Sequence, residues 1–274
     1  MIGIFKNIYL IGQGTTFSKM EMLFAYLKIQ FKDSVLVRLL RIPVRTERLL
    51  GFRVSFFDYS SFTFLFREIF IKGEYQFKSE NPNPVILDCG SNIGMSVLFF
   101  HKLFPSSRIT AFEPDPQTFG ILESNLRQNS LRNVEALNFA VSGKEGEIDF
   151  FQDAEISGSP MMSMQKGRTP NAVVVKAKAV RLSSFITKEI DFAKIDVEGA
   201  ETDIIRELAE SGKLRSIRQM CIEYHHHMNA TEDSFSKILD ILESNGFGYQ
   251  IEARIRKPFS TEFQDVLLKV YRKA

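Results

Sequence analysis

The stretch "VILDCGSNIGMSVLFF", residues 85–100, runs an apolar segment into an acid, crosses a loop with two glycines and begins a second apolar run. Its spacing is Asp88-x-Gly90-x-x-x-Gly94, with Ser91, Asn92 and Ile93 between the glycines. In an open α/β sheet, ligands bind at strand-to-helix turns of this kind. Glycines let backbone approach a ligand closely, and free N–H groups at the helix start favour a carboxylate or phosphate. Asp88 suits a ligand that carries a cationic group beside its carboxylate.

Glu113 ends the next strand-like segment, "RITAFE". An acid in that position accepts hydrogen bonds from the two hydroxyls of a ribose. An amino acid joined to a nucleoside, without phosphates, is S-adenosylmethionine. The rival ligand is a dinucleotide, whose fingerprint is Gly-x-Gly-x-x-Gly. Here the third glycine is missing, and Asp88 would repel a pyrophosphate.

A second set of residues could move a proton. Asp196 and Glu198 in "KIDVEG", and Glu223 and His225 in "CIEYHHH", follow strand-like segments that should end at the ligand face. Asp196 and Glu198 share one side of an extended chain, which could pair two carboxylates and raise one pKa. His225 has the intrinsic pKa suited to neutral pH. Plainer readings stand beside these. Glu198 could be a helix-start acid before Ala200, and His225 to His227 could be a solvated loop. Asp196, Glu223 and a histidine could ligate a metal, but no compact ligand motif appears, so no metal is expected. Lys194 reads as a buried partner of an acid, and Cys89 as a small packed residue.

The elements that must position these groups alternate between strand and helix, the pattern of a mostly parallel sheet covered on both faces. "VILD" is the first strand, and Gly94 to Phe104 its helix. After "RITAFE", Asp115 and Pro116 cap a helix with Phe119, Leu122 and Leu126 at helical spacing. "NVEALNFAV" is a third strand, turning at Ser142 and Gly143 into a hairpin with "EIDFF". The segment from Asp153 to Pro170 has no period. "AVVVKAKAV", "DFAKID", "RQMCIEY", "YQIEA" and "DVLLKVYR" read as later strands, the last two as a closing pair. Helices end at Gly212 and Gly246.

Residues 1–80 differ: rich in Phe and Arg, with a helix from Ser18 to Lys32, they read as a helical cap closed by "SENPNP" before a ligand-binding domain over residues 81–274. Of the chain's 274 residues, 44% are hydrophobic and 25% charged, with a net charge of +2. The first 80 residues carry twelve basic and seven acidic side chains. Arg38, Arg41, Arg45 and Arg48 are spaced to share a helical face that Pro43 interrupts. A solvated face is the default for them; attraction to an acidic glycan or membrane surface is the functional alternative. Two distant cysteines exclude a disulfide scaffold and suit a reducing compartment. The apolar start "MIGIFKNIYLIGQG" lacks a cleavage site and is broken by Lys6, so a cytoplasmic protein without stable membrane insertion is expected.

The chain resembles the FkbM family of S-adenosylmethionine-dependent methyltransferases through "ILDCGSNIGMSVLFF", "AFEPDPQTFGILESNL", "NFAVSGKEGEIDF" and above all "FAKIDVEGAETDII", Phe192 to Ile205. The match runs roughly from Phe66 to Tyr249. The resemblance implies a Rossmann-like class I methyltransferase fold of seven strands, the last antiparallel, and O-methylation of a sugar hydroxyl on a glycan, glycolipid or secondary metabolite. It implies that Asp88, Gly90, Asn92, Ile93 and Gly94 hold the methionine part, Glu113 the ribose, and the segment with Asn138 and Ala140 the adenine edge. Asp196 would lie near the transferred methyl group. Members usually carry Leu-Asp before the hallmark, where this chain has Leu182-Ser183. Nucleic-acid base methylation typically uses an Asn/Asp-Pro-Pro-aromatic element where this chain has "KIDVEGAE", which argues against a nucleic-acid partner. A non-sugar acceptor and a cofactor-binding protein without catalysis are the alternatives.

Overall fold

The computed structural model describes residues 2–13, 16–153, 172–226, 235–253 and 264–273. The N-terminal elements are α1 (Ile2–Gln13), α2 (Lys19–Lys32), the hairpin β1 (Thr46–Leu49) and β2 (Phe52–Ser55), and α3 (Tyr59–Leu65). Helix α2 begins after Ser18, as its periodicity implies, and past Lys32 the chain stays helical as a π-helix over Asp33–Leu39. The segment is not wholly helical. Pro43 and Arg45 lie in irregular chain that leads into the β1–β2 hairpin, so Arg38 and Arg48 belong to different elements rather than to one helical face.

Then come β3 (Val85–Cys89), α4 (Met95–Leu103), β4 (Arg108–Phe112), α5 (Pro116–Gln128) and β5 (Val134–Leu137). Helix α5 starts as its residues dictate: Asp115 accepts from the Thr118 N–H at 2.8 Å, and Pro116 occupies the first turn. After β6 (Ala140–Ser142), β7 (Gly146–Asp153) and β8 (Ala172–Arg181) follow β9 (Ile190–Ile195), α6 (Glu201–Glu210), β10 (Ile217–His226), α7 (Phe235–Ser244), β11 (Phe247–Ala253) and β12 (Gln264–Arg272).

Seven strands form one sheet in the order β11-β12-β10-β9-β3-β4-β5. β12, the last in the chain, runs antiparallel to the other six. This is the class I methyltransferase fold. The chain order reverses between β3 and β9, and that switch point is where an open sheet offers a crevice. All six residues of β9 are buried, as expected of a central parallel strand covered on both faces. On one face α1, α2 and α3 contribute Ile11, Met22, Tyr26, Ile29 and Phe62 to a core shared with Phe99, Phe100 and Ile109. Each fully buried phenylalanine there contributes about 1.5–3 kcal/mol. The opposite face holds Leu182, Ile204, Ile205, Leu208 and Ile238.

One expectation fails. Residues 134–142 are two strands, and "EIDFF" does not pair with "NFAV". β8 lies between them, parallel to β6 and antiparallel to β7, in a separate three-stranded sheet. Asn138 explains the break: its side-chain amide donates to the carbonyls of Glu113 and Pro114, at 2.8 and 3.0 Å, and draws the chain away from the ladder. Residues 154–170 of the aperiodic segment lie outside the described residues.

Candidate active site

The loop after β3 is built around Gly90. A Cβ there would sit 1.8 Å from the carbonyl oxygen of Asp196, with φ at +82°. Gly94, at φ +90°, would place a Cβ 2.7 Å from Leu122. The room these glycines leave is therefore filled by the chain's own atoms, which draws the ends of β3 and β9 together across the switch point. Gly90 and Asn92 remain part-exposed, whereas Ile93 is buried and passes its carbonyl to the Asn125 amide at 2.8 Å.

Asp88 lies beneath the loop. It is fully buried, accepts from Ser96 Oγ at 2.5 Å and lies 3.6 Å from Lys194 Nζ. Burial raises its pKa, and Lys194 opposes the rise. Glu113 ties the first two loops together: one oxygen accepts the Asn92 N–H at 2.9 Å, the other the Asp115 N–H at 3.0 Å. Burial pushes Glu113 up to about 8, against those two donors. Its remaining lone pairs would gain from hydroxyl donors, so the group fits a ribose. Asn138 braces the same turn, and Ala140, buried, opens β6 opposite Ala179.

Proton-transfer candidates meet at the ends of β9 and β10. His225 Nε2 lies 3.1 Å from Glu198 Oε2 and 3.9 Å from Asp196 Oδ1. Its Nδ1 lies 3.0 Å from Glu201. Burial works against the imidazolium, but the Glu201 carboxylate, Asp196 and Glu223 outweigh it and lift His225 to about 9. His225 is thus a cation at neutral pH, not the poised base that its free pKa suggests. It is also a strand residue, opposite Asp265 on β12, rather than part of a loop. Burial and the neighbouring Asp196 and Glu74 hold Glu223 well above the usual carboxylate range.

Glu198 is not the helix-start acid. It adopts φ +61°, a left-handed conformation that costs about 1–3 kcal/mol in a non-glycine residue, and its side chain turns to His225. Glu201 serves the helix start instead, accepting the N–H groups of Gly199 and Val197 at 3.0 and 3.3 Å. Lys194 is the buried ion-pair partner expected of it, 3.0 Å from Asp196 Oδ2. Two overlapping trios, Asp196–Glu198–His225 and Glu223–His225–Asp265, have ligand atoms close enough to share a cation.

Residues 88–249 match the family model described as the methyltransferase FkbM domain. The chain belongs to the FkbM methyltransferase family. It is a methyltransferase of the S-adenosylmethionine-dependent class. The chain is 27% identical over 209 residues to Methyltransferase 1 of Beauveria bassiana, covering 69% of this chain and 82% of that one. It is 27% identical over 247 residues to the 31-O-demethyl-FK506 methyltransferase FkbM of Streptomyces tacrolimicus, covering 78% and 90%. It is 30% identical over 144 residues to the 2-O-methyltransferase NoeI of Sinorhizobium fredii, covering 46% and 58%.

Two residues of this FkbM-family site escaped the sequence reading. The Tyr75 hydroxyl, from the N-terminal segment, lies 3.4 Å from Asp196 Oδ2 and 3.5 Å from Glu223 Oε2. No local pattern marks it. Glu201 stands within the quoted family hallmark, where its three-residue offset from Glu198 was the available signal. Ser183, where family members usually carry Asp, donates its hydroxyl to Glu207 on α6, away from this cluster.

Proposed function

We propose that this chain transfers a methyl group from S-adenosylmethionine to a hydroxyl of a sugar carried on a glycan, glycolipid or secondary metabolite. One observation carries the reading: the Gly90 loop and the Asp196–Glu198–His225 cluster meet across the switch point, because the Asp196 carbonyl occupies the space of a Gly90 side chain. Gly90, Asn92 and Glu113 would hold the cofactor, with Asn138 and Ala140 bounding its far end. Once bound, S-adenosylmethionine supplies an electrophilic methyl group. The relatives named for O-methylation support an oxygen acceptor.

A sugar hydroxyl is a weak nucleophile, so a base must accept its proton, worth ~10²–10⁴ in rate. Asp196 takes that role in this reading, because its carboxylate is part-exposed while both ring nitrogens of His225 face carboxylates. Lys194 and Tyr75 orient Asp196, and the His225 cation limits repulsion among the acids. Buried free Cys89 and Cys221 suit a reducing cytoplasm. The test is turnover of Asp196→Asn against a panel of sugar and macrolide hydroxyls, with cofactor affinity measured by calorimetry. A loss of ~10²–10⁴ in kcat with affinity retained is expected. Undiminished kcat would remove Asp196 as the base, and methylation confined to non-sugar acceptors would overturn the sugar reading.

A further inference from the structure

Helix α2 is apolar on two faces. Met22, Ala25, Tyr26 and Ile29 are buried in the core. On the other side Met20, Phe24, Leu27 and Phe31, spaced i, i+4, i+7 and i+11, form one stripe that is 76, 72, 48 and 64% exposed. The flanking elements add Phe5 and Tyr9 on α1, one turn apart, and Leu39, Leu40 and Ile42 after α2, all exposed. α1 packs against α2, with Asn7 reaching the Tyr26 hydroxyl at 3.3 Å and Lys19 the Gly12 carbonyl at 2.7 Å. A continuous run of large apolar side chains in water is rare unless another surface covers it.

The charge around the stripe identifies the cover. Residues 1–53 hold nine lysines and arginines against three acids. All three acids are already neutralised: Glu21 by Lys102, Asp33 by Arg38, and Glu47 by Lys28 and Lys32. Arg41, Arg45, Arg48 and Arg53 stand exposed beside the stripe in sequence. Bare aromatic and aliphatic side chains on short helices with surplus cations are the composition of a segment that lies in a bilayer interface. Among the described residues no helix is long and apolar enough to cross a membrane. We propose that α1, α2 and the following turn form a surface that seats this protein on an anionic lipid bilayer, with the α2 stripe among the acyl chains and the arginines at the headgroups. The inference holds whatever the acceptor is.

The experiment is sedimentation of the full chain with phosphatidylcholine vesicles, with and without phosphatidylglycerol, at low and high salt. Wild type should bind the anionic vesicles and release with salt. Phe24→Ser with Phe31→Ser should weaken binding about 100-fold or more, from the loss of two buried phenylalanines. Each of Arg41→Gln and Arg45→Gln should weaken it about five-fold. These side chains are exposed, so an unchanged thermal midpoint confirms folding of each variant. Failure of wild type to bind anionic vesicles, or equal binding by the double variant, overturns the proposal. So does a dimer that becomes monomer in the double variant, because a second copy would then be the cover.

Discussion

His225 and Glu201 form a buried pair, Nδ1 to Oε1 at 3.0 Å, each side chain only 2% exposed. Glu201 opens α6 and His225 is the penultimate residue of β10, so the pair locks the helix start to the end of an inner strand beside the site. In a neutral imidazole one nitrogen donates and the other accepts; with carboxylates at both, the doubly protonated ring is favoured.

Stability should therefore depend on this ring. A folded pKa of about 9, above the 6.5 of a free imidazole, contributes stability that is full below pH 6.5 and is lost as pH rises through about 9. Glu201→Gln should shrink that dependence, leaving the smaller part that Asp196 and Glu223 sustain, and cost about 3–5 kcal/mol below pH 6.5, as for breaking a buried pair. Urea unfolding across that window decides it; parallel curves for both proteins would refute the pairing.

Glu113 makes cofactor binding pH-linked. Burial pushes it up to about 8, so the free protein holds a proton that a ribose diol, donating to the carboxylate, should displace. Affinity for S-adenosylhomocysteine should rise as pH approaches 8 and then level, with proton release seen as a buffer-dependent enthalpy. Glu113→Gln should weaken binding about 10–100-fold and remove the pH slope, as expected for hydrogen bonds to a charged group. A flat profile in wild type would contradict this role. In the apo protein the same shift lowers stability as pH climbs from 4.5 towards 8.

The two loop glycines should differ in tolerance. Gly90→Ala drives a methyl into the Asp196 carbonyl, which is backbone, at φ +82°. Gly94→Ala meets only the movable end of Leu122. Thermal melts should show Gly94→Ala destabilised by about 1–2 kcal/mol and Gly90→Ala by considerably more. Equal losses would mean that the approach of β3 and β9 is not the constraint.

Ser183 answers to Glu207. Its hydroxyl and N–H both face the Glu207 carboxylate, so an aspartate there would set two acids together. Ser183→Asp should destabilise, and Glu207→Gln should recover most of the loss. Additive effects in that double-mutant cycle would show the two side chains to be independent.

Much of the architecture was legible because it is written in local chemistry. The α5 start follows from Asp115 and Pro116, the α6 and α7 stops from Gly212 and Gly246, and β9 from the short segment "DFAKID" that ends at Asp196. The three-stranded sheet was not. "NFAV" and "EIDFF" look like a hairpin in isolation, and only β8, thirty residues later, competes for both edges.

By itself the sequence determined the family, the chain order of the strands in the seven-stranded sheet, and which acids follow which of them, since these depend on residue type and short spacing. Only the tertiary structure decided their states. It buried Asp88 against Lys194, used the Gly90 space for the Asp196 carbonyl, brought Tyr75 over some 120 residues to Asp196, and placed His225 between carboxylates from two elements. Charge state and contact depend on distance and desolvation in three dimensions, and neither quantity is carried by the neighbours of a residue along the chain.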